Sequence, residues 1–188
     1  MSCGNLAVLD IRLMNDATKR KVKDMEVEMK VKNLAFDLSK SGTTVFLEEI
    51  NGKRVLPIWI GIFEANAIAL ELRKISTARP MTHDLILNII KGLEAEVTKI
   101  VITELKDNTF YAAIHMKAEK GKIVIDSRPS DAIAVALRVG ATIYVVEEVI
   151  KQAGRSEEII TDEKPEDKTE EFTEWLEKLD PDDFKYKM

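Results

Sequence analysis

The sharpest change of pattern along the chain falls at Met25. From there Met25, Val27, Met29 and Val31 alternate with Glu26, Glu28, Lys30 and Lys32, the period of two that puts one face of a strand inside and the other in water. A Ser41-Gly42 turn and a return strand from Thr43 to Ile50 follow, and Asn51-Gly52 is the strongest short hairpin signal a sequence offers. Arg54 to Ile60 predicts a third strand, at an edge or a bulge because Pro57 cannot donate to a ladder. Gly61 breaks it, and the pattern turns helical over Ile62 to Ile75, where Ala65, Ala67 and Ala69 suit close packing. Ala78-Arg79-Pro80 stops that helix. The next is expected from Thr82, acting as its cap, to about Leu93, with Leu85, Ile86, Ile89, Ile90 and Leu93 on the buried face. Ile100 to Leu105 and Thr109 to Met116 read as strands around a Lys106-Asp107-Asn108 turn.

The stretch from Ile123 to Gly140 organises the rest. A β-branched run, Ile123 to Ile125, delivers the chain to Asp126, and Pro129 opens a helix that is apolar nearly all round and must therefore be buried. Gly140 supplies the left-handed residue that commonly ends a helix. Asp126, Ser127, Arg128, Ser130 and Asp131 are thereby gathered beside unpaired backbone N–H groups and the positive end of the helix dipole. Such a place can bind an anion, hold a cation through its carboxylates, or simply cap the helix. Arg79-Pro80-Met81-Thr82-His83-Asp84 is a faint repeat of Arg128-Pro129-Ser130-Asp131, each opening an apolar helix that leads into a β-branched strand, so that two similar helix starts could face one cleft. His83 lies in a first turn, where the dipole disfavours the charged ring and suits a neutral base or ligand. Glu64 stands near another strand-to-helix junction.

The sum is an α+β fold with a mixed or antiparallel sheet of six or seven strands and three core helices, plus a short C-terminal helix. Residues 1–24 read as an extension, 25–150 as the domain, and 151–188 as an acidic linker with an amphipathic helix over Glu170 to Leu179. Phe172, Trp175, Leu176 and Leu179 share a stripe there that wants a surface to cover. A homo-oligomer is expected.

Charge changes the picture in one respect. From Arg155 to Met188 there are 13 acidic and 6 basic residues, which leaves 20 acidic and 22 basic before them. The body is nearly neutral, so any contact with RNA or DNA is expected to be local and weak. The apolar runs are too short for a membrane helix, and a lone Cys3 with two histidines makes neither an internal disulfide nor a Cys/His zinc site. The reading is a cytoplasmic protein without a membrane partner, whose metal, if it has one, sits on oxygen ligands.

Four motifs in order, L-P-I-W-I-G at Leu56 to Gly61 with Glu64, R-P-M-T-H-D-L at Arg79 to Leu85, K-D-N-T-F-Y-A at Lys106 to Ala112 and I-D-S-R-P-S-D-A-I at Ile125 to Ile133, make residues 25–150 resemble the bifunctional nuclease domain family. The resemblance implies RNase and DNase activity, hence phosphodiester hydrolysis assisted by a divalent ion. On that chemistry Asp126 and Asp131 with Glu64 would hold Mg²⁺ or Mn²⁺, and His83 would act as base or water-orienter with Asp84 beside it. Arg128 would clamp the phosphate, and Arg79 and Ser130 would add substrate contacts. The rival expectation is a non-catalytic oligomeric ligand- or protein-binding module, in which Arg128 and Asp131 hold the fold.

Overall fold

The structure is a computed structural model that describes residues 26–37 and 42–156. In chain order the elements are β1 (Glu26–Asp37), β2 (Gly42–Glu49), β3 (Arg54–Ile60), α1 (Ile62–Leu72), α2 (Thr82–Gly92), β4 (Glu96–Lys106), β5 (Thr109–Ala118) and β6 (Gly121–Ser127). They continue with α3 (Pro129–Val139), β7 (Thr142–Val146), α4 (Glu147–Ala153) and β8 (Arg155–Ser156). All strands lie in one eight-stranded sheet of order β6-β5-β4-β7-β1-β2-β3-β8. Every pairing is antiparallel except β4 with β7, where Lys99 faces Thr142 in a parallel ladder. The class is α+β as the pattern implied. The additional elements, α4 and β8, fall where the composition begins to turn polar, and α4 runs past Ile150. The extension over 1–24 and the amphipathic helix expected at Glu170 to Leu179 lie outside the described residues. No described helix is long and apolar enough to cross a membrane.

Of the two hairpin turns read from the sequence, the one after Lys106 is the tight two-residue turn. Asp107 and Asn108 both take positive φ, 49° and 58°, and join β4 to β5 directly. β2 and β3 do form a hairpin, but through residues 50–53, and neither Asn51 nor Gly52 has positive φ. The cause is the pair at the loop's base. Arg54 donates from Nε and Nη2 to the two carboxylate oxygens of Glu49 at 2.9 and 2.8 Å, and a Cβ on Gly52 would meet that carboxylate at 2.0 Å. Gly52 serves to let the ion pair lie across the loop. Pro57 behaves as expected: β8 pairs only with Arg54 and Val55, so the outer side of β3 is open where Pro57 has no N–H to give.

Helix α3 is the centre of the molecule. It packs on β4, β5 and β7 on one side and on α1 and α2 on the other. Ala132, Ile133, Ala134, Val135 and Ala136 have no exposed surface, while Leu137 is only half-buried. Pro129 occupies its first turn and Gly140 closes it at φ 69°. Ile133 and Val135, fully buried, each stabilise the fold by about 1.5–3 kcal/mol.

Helix α2 departs from its expected orientation. Its N-cap is Met81, and Thr82 is already helical; Asp84 accepts the Met81 backbone N–H at 2.9 Å, half of a capping box. The buried residues are His83 and Leu87, whereas Leu85, Ile89 and Leu93 are 55%, 53% and 72% exposed. The helix carries two apolar stripes and leans chiefly on α3, so only one of them is covered. The stripe with the histidine is the covered one.

Candidate functional site

The faint repeat in the sequence is a repeat in space. Arg79-Pro80 precedes α2 and β4, Arg128-Pro129 precedes α3 and β7, and β4 and β7 are the one parallel pair. Two helices that pack together and feed parallel neighbours start at the same end of the sheet. Their first turns meet: His83 Nε2 lies 3.2 Å from Asp131 Oδ1. Arg128, the N-cap residue of α3, donates from Nε to Asp131 Oδ2 at 2.8 Å and from Nη2 to Asp131 Oδ1 at 3.2 Å. Its Nη1 reaches Glu64 Oε1, in the first turn of α1, at 2.9 Å. Three helix starts are thus tied at one point by four side chains.

The members differ in access. The His83 ring is 10% exposed, the Glu64 and Asp131 carboxylates 23% and 28%, and the Arg128 guanidinium arm 66%. Burial pushes the Asp131 carboxyl up, but hydrogen bonds from Arg128 and His83 outweigh it and hold the group below the ordinary aspartate value. Arg128 is held more firmly protonated by Asp131 first and then by Glu64. An ionised Asp131 only accepts, so the proton between it and His83 sits on Nε2, and in the neutral form of the ring Nδ1 is the nitrogen with the lone pair. The cluster therefore presents an oriented imidazole, a carboxylate that would stabilise its charged form, and an exposed guanidinium. Arg128 has spent three of its five N–H donors, which leaves one on each terminal nitrogen.

Asp84 turns the other way. Arg138 Nε donates to Asp84 Oδ1 at 2.7 Å, and Arg138 Nη1 donates to the carbonyls of Ala67 at 3.1 Å and Ala134 at 3.0 Å. Burial raises the Asp84 carboxyl, and Arg138 with the Met81 N–H brings it below the ordinary value. Its role here is to fix the α2 start and seat Arg138. Asp126 is exposed on β6 opposite Ala113 and makes no hydrogen bond to the cluster among the described residues. Ser130 is 5% exposed, inside the packing rather than on the open side where a substrate contact was expected. Arg79 is exposed at the start of α2, apart from the four tied side chains. His115 stays in β5, half-buried, with its ring's proton affinity lowered by burial and then by Lys99. Arg138 was not singled out in the sequence; the available signal was a lone cation seven residues after Asp131 on an otherwise apolar helix.

The expected Mg²⁺ or Mn²⁺ does not fit this arrangement of donors. Glu64 and Asp131 are bridged by the Arg128 guanidinium, the position a divalent ion would take, and Asp126 stands apart. Among the described residues no three His, Cys, Asp or Glu side chains are disposed to hold a metal ion.

The family model for the bifunctional nuclease domain matches residues 45–158. The chain is also 42% identical over 163 residues to the uncharacterized proteins MT1877 of Mycobacterium tuberculosis strain CDC 1551 / Oshkosh and Rv1829 of strain ATCC 25618 / H37Rv, a match covering 84% of this chain and 98% of each relative. The match contains α1, α2 and α3, whose starts form the cluster, and with it the chain belongs to the bifunctional nuclease domain family.

Proposed function

We propose that the chain is a nuclease that cleaves phosphodiester bonds of RNA or DNA at the His83, Asp131, Arg128 and Glu64 cluster. The observation that carries this reading is the meeting of the two Arg-Pro helix starts, His83 Nε2 against Asp131 Oδ1 at 3.2 Å, under an arginine that is 66% exposed. Arg128 uses its two remaining N–H groups to hold the non-bridging oxygens of a phosphate, and Glu64 keeps its arm in place. His83 Nδ1 takes the proton of the attacking hydroxyl as the new P–O bond forms, and Asp131 stabilises the imidazolium. The same proton then passes to the leaving oxygen as its P–O bond breaks. Two carboxylates offset the one guanidinium, so the cluster is not a strongly cationic patch, which fits the weak, local nucleic-acid contact expected from the near-neutral body. The lone Cys3 suits a reducing cytosol.

The second reading, a non-catalytic module, draws on a specific observation: every charged group of the cluster already has a partner, and the pairs join three helices. Labelled single-stranded RNA and DNA incubated with the full chain in Mg²⁺, Mn²⁺ or EDTA decide between them. The nuclease reading expects cleavage that falls at least about tenfold in His83→Gln, a loss of about 1.4 kcal/mol of transition-state stabilisation. Wild-type protein that cleaves neither strand in any of these conditions would establish the module. Self-association is part of the proposal: the exposed Leu85, Ile89 and Leu93 stripe follows one side of α2, so a two-fold axis would lay it against the same stripe of a second copy.

A further inference from the structure

Arg138 follows Asp131 by two helical turns, about 10 Å along α3, and opens into a different cleft. The end of α1, the connection over residues 73–81 and the start of α2 wall a space of about 330 Å³. That lies at the small end of the range for ligand pockets, roughly 300–1,000 Å³, and is far too small for a duplex.

The donors in this cleft are unevenly spent. The Arg138 side chain is only 6% exposed, yet its three recorded donations leave both N–H groups of Nη2 unused among the described residues. Nη2 keeps some exposed surface, and Arg138 lines the cleft. A guanidinium fixed this firmly on one side, with two donors open on the other, is set to hold an anion without first being ordered. The acids nearby are already matched: Glu71 accepts from Lys74 at 2.7 Å, and Asp84 from Arg138 and the Met81 N–H. Arg79 stands exposed at the rim. Ile75 and Met81, 51% and 40% exposed, and Pro80 also line the cleft. Ser76 and Thr77 add hydroxyls.

We propose that this cleft binds one nucleotide unit, with the phosphate on Arg138 Nη2 and Arg79, the base against Ile75, Pro80 and Met81, and the sugar beside Ser76 and Thr77. The occupant is either a nucleotide of the strand that the cluster cleaves or a free mononucleotide; both offer one phosphate and one base. The inference deepens the nuclease reading, and its test is an equilibrium measurement that involves no turnover.

Adenosine 5′-monophosphate, inorganic phosphate and a fluorescent single-stranded oligonucleotide are titrated against the full chain in EDTA, with Arg79→Ala and Arg138→Lys as variants and a thermal melt of each. Adenosine monophosphate should bind more tightly than inorganic phosphate, because the apolar wall contributes, and its affinity should fall at least about tenfold in Arg79→Ala. Arg79 is exposed, so that variant folds even if Arg138→Lys does not. Displacement of the oligonucleotide by the mononucleotide supports the site and assigns it to the strand; mononucleotide binding without displacement supports it as a site for the free nucleotide. No mononucleotide binding at millimolar concentration, or binding unchanged in Arg79→Ala, overturns the inference. Wild-type protein that binds the mononucleotide but cleaves nothing removes the nuclease reading and leaves this one standing. Cleavage by protein that does not bind the mononucleotide does the reverse.

Discussion

Replacing Asp131 with asparagine separates holding the fold from performing the chemistry. The substitution keeps an oxygen that can accept from His83 Nε2 and removes the charge that faces both His83 and Arg128. Arg128 is 66% exposed and keeps Glu64, so the lost ion pair costs only about 0.2–1 kcal/mol. Loss of an acid from the first turn of α3 adds about 0.3–1 kcal/mol. A total of about 0.5–2 kcal/mol leaves a domain of ordinary stability folded. The pH dependence has a definite sign. Asp131 titrates below its ordinary value in the folded protein, so its contribution is complete above the unfolded value of about 3.9 and is lost as pH falls through the folded one. Urea unfolding should therefore show the difference between variant and wild type at pH 7 and a smaller one below about pH 3.9. Cleavage at pH 7 should fall at least about tenfold, because the imidazolium formed on His83 loses its counter-charge. A folded variant with undiminished cleavage would refute the role given to the pair. A difference in unfolding free energy above about 3 kcal/mol would refute the magnitudes, since only a structural linchpin loses that much.

Three further outcomes follow from the packing. Ile133→Ala should lower the unfolding free energy by about 2–5 kcal/mol in urea titration, since the side chain has no exposed surface and α3 is covered on both sides. Asp84→Ala should cost about 1–3 kcal/mol in the same assay, by leaving the Nε of a guanidinium that is 6% exposed without its acceptor and the Met81 N–H uncapped. Ile89→Glu should change the urea midpoint little, because the residue is 53% exposed, but reduce the mass found by light scattering if α2 pairs with a second copy. An unchanged mass above that of the monomer would move the contact away from α2, and a monomeric wild type would remove it.

What the sequence reveals and what it hides separate along physical lines. Strands and α3 were legible because each has one unambiguous pattern: alternation in β1, a Pro start and Gly end around an apolar run in α3. The orientation of α2 was not, because His83 with Leu87 and Leu85 with Ile89 and Leu93 are both helical stripes, and the second is the more apolar. Counting apolar residues finds Ile86 and Ile90, which do pack against the core, but adds Leu85, Ile89 and Leu93, which stay exposed. What decides is the partner: His83 is drawn inward by Asp131 on α3, and a contact between residues 48 positions apart leaves no trace in a local period. The Asn51-Gly52 hairpin forms where it was read, but its turn is of another kind, since the glycine there accommodates the Glu49 carboxylate rather than a positive φ.

The site was legible to the extent that it is repeated. Two Arg-Pro helix starts, each leading into a β-branched strand, place His83 and Asp131 together because β4 and β7 become parallel neighbours, and that much follows from like sequences taking like paths. Asp126 precedes the second start as a strand residue, and its place depends on the β5–β6 register instead, which sets it opposite Ala113 and outside the tied group. Glu64 belongs to neither copy of the repeat, yet it supplies the second carboxylate on Arg128. The cluster at this end of the sheet thus rests on one guanidinium shared between carboxylates from two helices. On the proposed function a phosphate takes the two N–H groups that Glu64 and Asp131 leave open, so substrate binding and the tie between α1 and α3 share one guanidinium through different donors.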